Sequence, residues 1–155
     1  MKDSTLTIRK KRVALMLRKL KKLFPDAKMA LRYSNNFELL VAVMLSAQCT
    51  DKKVNEVTEK LFRKYKKLRD YSNANLKVFE QDIRQTGFYR NKAKNILAAA
   101  RLLEEKHNGV IPKTMGEMLT VPGVARKTAN VVLGNAYGVV EGIAVDTHVK
   151  RFATR

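Results

Sequence analysis

VPGVARKTANVV, Val121 to Val132, decides more about this chain than any other stretch. A short apolar segment led by Pro112 and Thr114, Met115 to Leu119, precedes it, and an apolar-periodic run from Arg126 to about Tyr137 completes it. Helix, Pro-Gly turn, helix is the layout of a helix-hairpin-helix. Such a hairpin presents successive backbone N–H groups at a helix N-terminus, where the positive end of the dipole also lies, so it holds a phosphate without touching a base. Taken alone the pattern is moderately specific, and an ordinary αα-turn is the other reading. Lys127 is oddly placed within it: with Val124 three positions before and Val131 four after, a helix would set its ammonium on an apolar stripe.

Outward from the hairpin, helical periodicity recurs and strand-like alternation does not, so the expected fold class is all-α. Val13, Met16, Leu17 and Leu20 mark one face of a basic first helix that stops at Phe24-Pro25. Asn35 and Asn36 offer a cap for FELLVAVMLSAQ, residues 37–48, which is apolar nearly all round and therefore central. Thr50 or Asp51 caps a third helix with Val54, Val57, Leu61 and Phe62 inward. Asn73 begins a short fourth with Leu76, Phe79 and Ile83, and the loop TGFYRN leads into a long helix through Ala93, Ile96, Leu97, Ala100 and Leu103. That helix ends at His107-Asn108-Gly109, where glycine suits the left-handed position past the last turn. The expected organisation is a basic region and helix over 1–26, a helical body over 27–139 with the hairpin motif at about 115–137, and a closing segment over 140–155.

Composition narrows the partners. A chain of 155 residues with 45% hydrophobic content can build a core, which rules out a wholly disordered tail. Its 32 Lys and Arg against 14 Asp and Glu give a formal charge of +18, which favours a polyanion through counterion release: nucleic acid first, anionic membrane second. No apolar run reaches the roughly 20 residues of a membrane span, and MKDSTLTIRKKR lacks the apolar core of a signal peptide. A soluble cytoplasmic protein is expected, nucleoid-associated in a prokaryote. Cys49 is the one cysteine, so no intrachain disulfide and no Cys-rich zinc or iron–sulfur site is expected from this chain, and no residue is assigned to a metal.

LSAQCTD (45–51), TGFYRNKAKNI (86–96), VPGVARKTANVVL (121–133) and AVDTHV (144–149), in that order, resemble the endonuclease III family of DNA glycosylases with associated lyase activity. The resemblance runs from about Arg9 to the last residue. It implies a multi-helix glycosylase domain whose hairpin grips duplex DNA, an extruded oxidised pyrimidine, and chemistry at the sugar C1′. The implied activity is base-excision repair by a bifunctional glycosylase and apurinic/apyrimidinic lyase, which cleaves the abasic site by β-elimination through a lysine Schiff base. The implied partner is double-stranded DNA containing damaged bases or abasic sites.

Lys127 falls on the family's Schiff-base lysine. Residue chemistry by itself leaves two readings there, a nucleophile or a lysine whose stem lies on Val124 and Val131 while its head reaches a phosphate, and ranks the second first; the resemblance reverses the order. An amine attacks carbon only when unprotonated. Arg126 beside it, the positive helix end and an apolar stripe are surroundings that disfavour an added positive charge. Asp146, placed like the N-cap of THVKRF, matches the family's aspartate that stabilises developing positive charge at C1′, and capping and catalysis can coexist.

Extruding a base leaves a hole whose lost stacking costs a few kcal/mol, and Gln48 and Phe88 match the family's two filling positions. Their other readings are a polar end to the apolar helix and a core aromatic. Ser46 and Asp51 match the lesion pocket, although Asp51 also reads as a helix cap. By the same carry-over Pro122, Gly123, Val124, Ala125, Arg126 and Thr128 form the DNA-gripping hairpin, with His148 as a neighbour on that surface or in its packing.

Two departures stand out. Ala125 occupies the place of a second family glycine, which in a positive-φ turn would cost about 1–2 kcal/mol and weaken the phosphate grip. The given sequence also stops at Arg155, whereas the family continues through further helices and four cysteines holding a [4Fe–4S] cluster. The expectation is therefore a second domain lacking its C-terminal part, no cluster carried by this chain, and a first-helix stripe covered by a missing segment or by self-association. Two rival functions remain: a non-catalytic helix-hairpin-helix DNA-binding module, and a basic RNA-binding helical domain that leaves the pairing of Lys127 with Asp146 unexplained.

Overall fold

A computed structural model describes residues 2–154, apart from the side chains of residues 2–4 and 148. The chain divides into two compact units, Met1–Ala30 and Leu31–Arg155. The first is a single helix, α1 (Lys2–Leu23), and a short tail. Phe24 closes the helix by donating its N–H to the Leu20 carbonyl at 2.8 Å, and Pro25 follows, as the sequence predicts. Val13, Met16, Leu17 and Leu20 are each about half exposed.

The second unit is assembled around α2 (Asn36–Leu45). The Asn35 side chain caps it by accepting the Glu38 N–H at 2.9 Å, and every residue from Leu39 to Leu45 is buried. At roughly 1.5–3 kcal/mol for each large side chain taken from water, this helix is a large source of cohesion. It is shorter than predicted, ending at Leu45, three residues before Gln48. Around it pack α3 (Asp51–Lys64), α6 (Tyr89–His107) and α8 (Arg126–Tyr137).

Thr50 caps α3 with its hydroxyl, and Val54, Val57 and Leu61 turn inward while Phe62 is only partly buried. Two short helices, α4 (Leu68–Ser72) and α5 (Leu76–Asp82), lie on α6. Sequence periodicity misses α4, which is one turn long; its start is held by Asp70, whose carboxylate accepts the Lys66 and Lys67 N–H groups at 2.8 and 2.9 Å. The predicted fourth helix corresponds to α5 and is capped by Asn75 in place of Asn73. A 3₁₀ turn, Arg84–Thr86, leads to α6, and α7 (Met115–Met118) packs on α8. Last comes α9 (Thr147–Ala153). Among the described residues all regular structure is helical.

Candidate active site and DNA interface

The hairpin between α7 and α8 is built on one glycine. Gly123 has φ +77°, and a Cβ there would meet Asn95 Cβ at 2.7 Å and Met44 Cε at 2.8 Å, so the turn presses its backbone directly on α2 and α6. Ala125 has φ −98° and ψ 171°, extended backbone open to any residue. The expected strain at Ala125 is therefore absent, and with it the reason to expect a weakened grip. Ala125 brings no capping side chain to α8, which leaves the first-turn N–H groups and the positive helix end to meet an anion. Gly123, Ala125 and Arg126 are exposed, and Pro122 and Thr128 partly so. Val124 faces the other way: its side chain is buried and its N–H donates to Val121.

Lys127 is the second residue of α8, and it is exposed. Of the apolar stripe expected around it only Val131, one turn further along α8, is in place, because Val124 precedes the helix and the three-residue spacing is not helical there. What the structure gives Lys127 is company. A cleft of about 730 Å³ is lined by Ser46, Gln48, Cys49, Thr50, Asp51, Lys127, Asp146 and Thr147. Asp146 caps α9, its Oδ1 accepting the Val149 N–H at 2.9 Å, while still lining the cleft. The segment before it is tied to α8 by Asn130, whose side-chain amide donates to the Ile143 carbonyl at 3.3 Å. Asn130 lies one helical turn from Lys127, so the same helix that carries the amine also anchors the strand of chain that delivers the carboxylate.

Gln48 and Phe88 share a second, smaller cleft of about 180 Å³ with Met44, Ala47, Asn91, Lys92, Asn95 and Gly123. Gln48 belongs to both clefts. Both residues stand in left-handed backbone, φ 53° for Gln48 and 47° for Phe88, a conformation that non-glycine residues adopt at a cost and that clusters at functional sites. Phe88 is 66% exposed, which removes its reading as a core aromatic.

Comparison with known proteins follows the same lines. Residues 41–155 match the HhH-GPD superfamily of base excision DNA repair proteins. Endonuclease III of Synechocystis sp. is 50% identical over 147 residues, covering 95% of this chain and 67% of the relative. Endonuclease III of Bacillus subtilis is 50% identical over 145 residues, covering 94% and 66%. The solved structure of a trapped endonuclease III–DNA covalent intermediate, an estranged-adenine complex, superposes with a TM-score of 0.87 at 51% identity, covering 93% of this chain and 67% of that one. The chain belongs to the endonuclease III family.

This member spans about two thirds of the length of the relatives it matches. Of the residues that the family motifs single out, the large cleft gathers Lys127, Asp146, Gln48, Ser46 and Asp51, and Phe88 stands in the adjoining one. Because Thr50 supplies the α3 cap, Asp51 is released from that role and faces the cleft. His148 lies outside the described side chains.

Lys92 is the residue that sequence reasoning passed over. It is 7% exposed, and its ammonium donates to the Leu45 carbonyl at 2.8 Å and the Thr86 carbonyl at 2.7 Å. Burial pushes its pKa below the ordinary lysine value, opposed by the nearby Cys49 sulfur. Its position four before Ile96, on the inward face of α6, was the available signal.

The family's iron–sulfur cluster finds no ligand set in these residues. Cys49 is the one cysteine of the sequence and lines the cleft, and no group of three His, Cys, Asp or Glu side chains placed to hold a metal occurs among the described residues. Among the described residues no helix is long and apolar enough to cross a membrane.

Proposed function

We propose that this protein acts in DNA base-excision repair as a bifunctional glycosylase and abasic-site lyase on oxidised pyrimidines in duplex DNA. The observation that carries the reading is the cleft that Lys127 and Asp146 both line, at the starts of α8 and α9.

The hairpin N–H groups and Arg126 hold the backbone phosphates, the damaged nucleotide turns out into the large cleft, and Gln48 and Phe88 enter the gap it leaves. The unprotonated Lys127 amine attacks C1′, and the electron pair of the breaking N–C1′ bond leaves with the base, which takes up a proton. The Asp146 carboxylate stabilises the positive charge that develops at C1′ and receives the proton lost by the amine. Opening of the sugar gives the imine between Lys127 and C1′. Loss of a proton from C2′ then expels the 3′ phosphate and breaks the C3′–O bond. A site in cytoplasm, on the nucleoid of a prokaryote, follows from this substrate.

The test is a duplex bearing one oxidised pyrimidine, incubated with the purified protein. Strand scission that leaves a β-elimination product at the lesion supports the reading. Tight binding of the duplex without base release assigns the chain to the non-catalytic DNA-binding modules, and a preference for RNA overturns the DNA reading altogether.

A further inference from the structure

Lys92 joins two helix ends. Leu45 is the last residue of α2 and Thr86 the last of the 3₁₀ turn, so the two carbonyls that its ammonium holds lie at the negative ends of both elements. Three residues beyond Leu45 stands Gln48, and two beyond Thr86 stands Phe88, each in left-handed backbone and each exposed. All three side chains line the one small cleft. A buried ammonium held by two carbonyls stays only where the surroundings compensate its desolvation, and an apolar residue of similar volume would fill the space without that cost. What the ammonium adds to packing is a fixed link between the Leu45 and Thr86 carbonyls.

We propose that Lys92 is a positioning residue: it fixes the Gln48 turn and the Phe88 turn at one separation, so that both enter the duplex together when a base is extruded. The proposal rests on the gap-filling reading of those two residues. Thr86 braces the same joint from below, its buried hydroxyl donating to the Ile83 carbonyl at 2.9 Å. The large cleft does not include Lys92, which separates its role from bond making at Lys127.

Lys92→Met keeps the stem and removes both hydrogen bonds. In single-turnover assays it should slow release of an oxidised pyrimidine by about 10- to 100-fold, as misplacement of positioning groups does, and slow cleavage of a preformed abasic site far less. Coupling supplies the decisive readout. If Lys92 acts through Gln48 and Phe88, the double variant Lys92→Met, Phe88→Ala should lose clearly less than the product of the two single losses, whereas independent roles multiply. A duplex with 2-aminopurine opposite the lesion should show a smaller fluorescence change on binding Lys92→Met than on binding the parent. Equal loss on both substrates, or multiplying losses in the double variant, overturns the proposal. If Lys92→Met melts below the assay temperature, Lys92→Gln, which keeps a donor, takes its place in the same comparison, and the same results support or overturn the proposal. Should the parent itself fail to release the base, the failure belongs to the proposed activity, and the 2-aminopurine comparison still tests the joint.

Discussion

Lys127 and Asp146 face one cleft from the starts of two helices, the lysine as the second residue of α8 and the aspartate as the cap of α9. The side chain that caps the helix is thus the one offered to the substrate. Asn130 holds the connection between them through the Ile143 carbonyl, so that the fold of the 140–146 segment and the geometry of the proposed chemistry depend on the same contact.

Asp146→Asn separates the two duties of that residue. Asparagine caps as well as aspartate, so stability measured by urea unfolding should change by less than about 0.5 kcal/mol. The negative charge is lost, and release of an oxidised base should slow by about 100-fold, more than cleavage of a preformed abasic site slows. Equal slowing on both substrates, with stability intact, would remove charge stabilisation at C1′ from the residue's duties.

Gly123 and Ala125 should each lose stability when their side chains are exchanged, for different reasons. Gly123→Ala forces a Cβ against Asn95 and Met44 at φ +77° and should destabilise by about 2 kcal/mol or more. Ala125→Gly relieves nothing, since Ala125 is extended, and by loosening the unfolded chain it should cost up to about 1 kcal/mol. Thermal melts of the two variants check both values. A stabilising Ala125→Gly would show that the hairpin is strained after all.

Tyr71 adds a pH-dependent term. It is 1% exposed in a cluster with Phe37, Tyr65 and Phe79, and its hydroxyl has no hydrogen-bond partner. Burial first, then the charge of Glu38, pushes its pKa above the ordinary value of 10.0. Its neutral form is thus favoured in the folded state, and the associated stability is complete below pH 10 and is lost as the pH rises beyond it. Tyr71→Phe should stabilise the protein at neutral pH by about 1 kcal/mol, since it removes a buried unpaired hydroxyl, and its stability should fall less steeply in alkali. Denaturant unfolding at neutral pH and above pH 10 measures both; a variant less stable than the parent at neutral pH would mean that the hydroxyl is satisfied.

The sequence was most legible where local chemistry acts alone. Arg126 to Tyr137 is helical as its periodicity predicts, and Asn35 and Asp146 cap the helices that follow them. It was least legible where distant segments decide. One turn of helix at Leu68–Ser72 is too short for a period to show. Lys127 was expected on an apolar stripe, but the helical spacing behind that expectation begins only at Arg126. Lys92 reads as one more solvated charge until α2 and the 3₁₀ turn bring two carbonyls to it. The cleft itself joins Ser46 and residues 48–51 to residues 127, 146 and 147, a meeting that depends on the packing of α2 on α8 and on the Asn130 tether.

The most direct measurement is borohydride trapping on a duplex with a single abasic site, comparing the parent with Lys127→Gln at equal bound fraction. The imine between Lys127 and the opened sugar should be reduced to a stable covalent adduct in the parent. Lys127→Gln should bind the duplex nearly as well and give neither adduct nor strand cleavage. A parent that is saturated with DNA yet yields no more adduct than Lys127→Gln contradicts the lyase chemistry at Lys127.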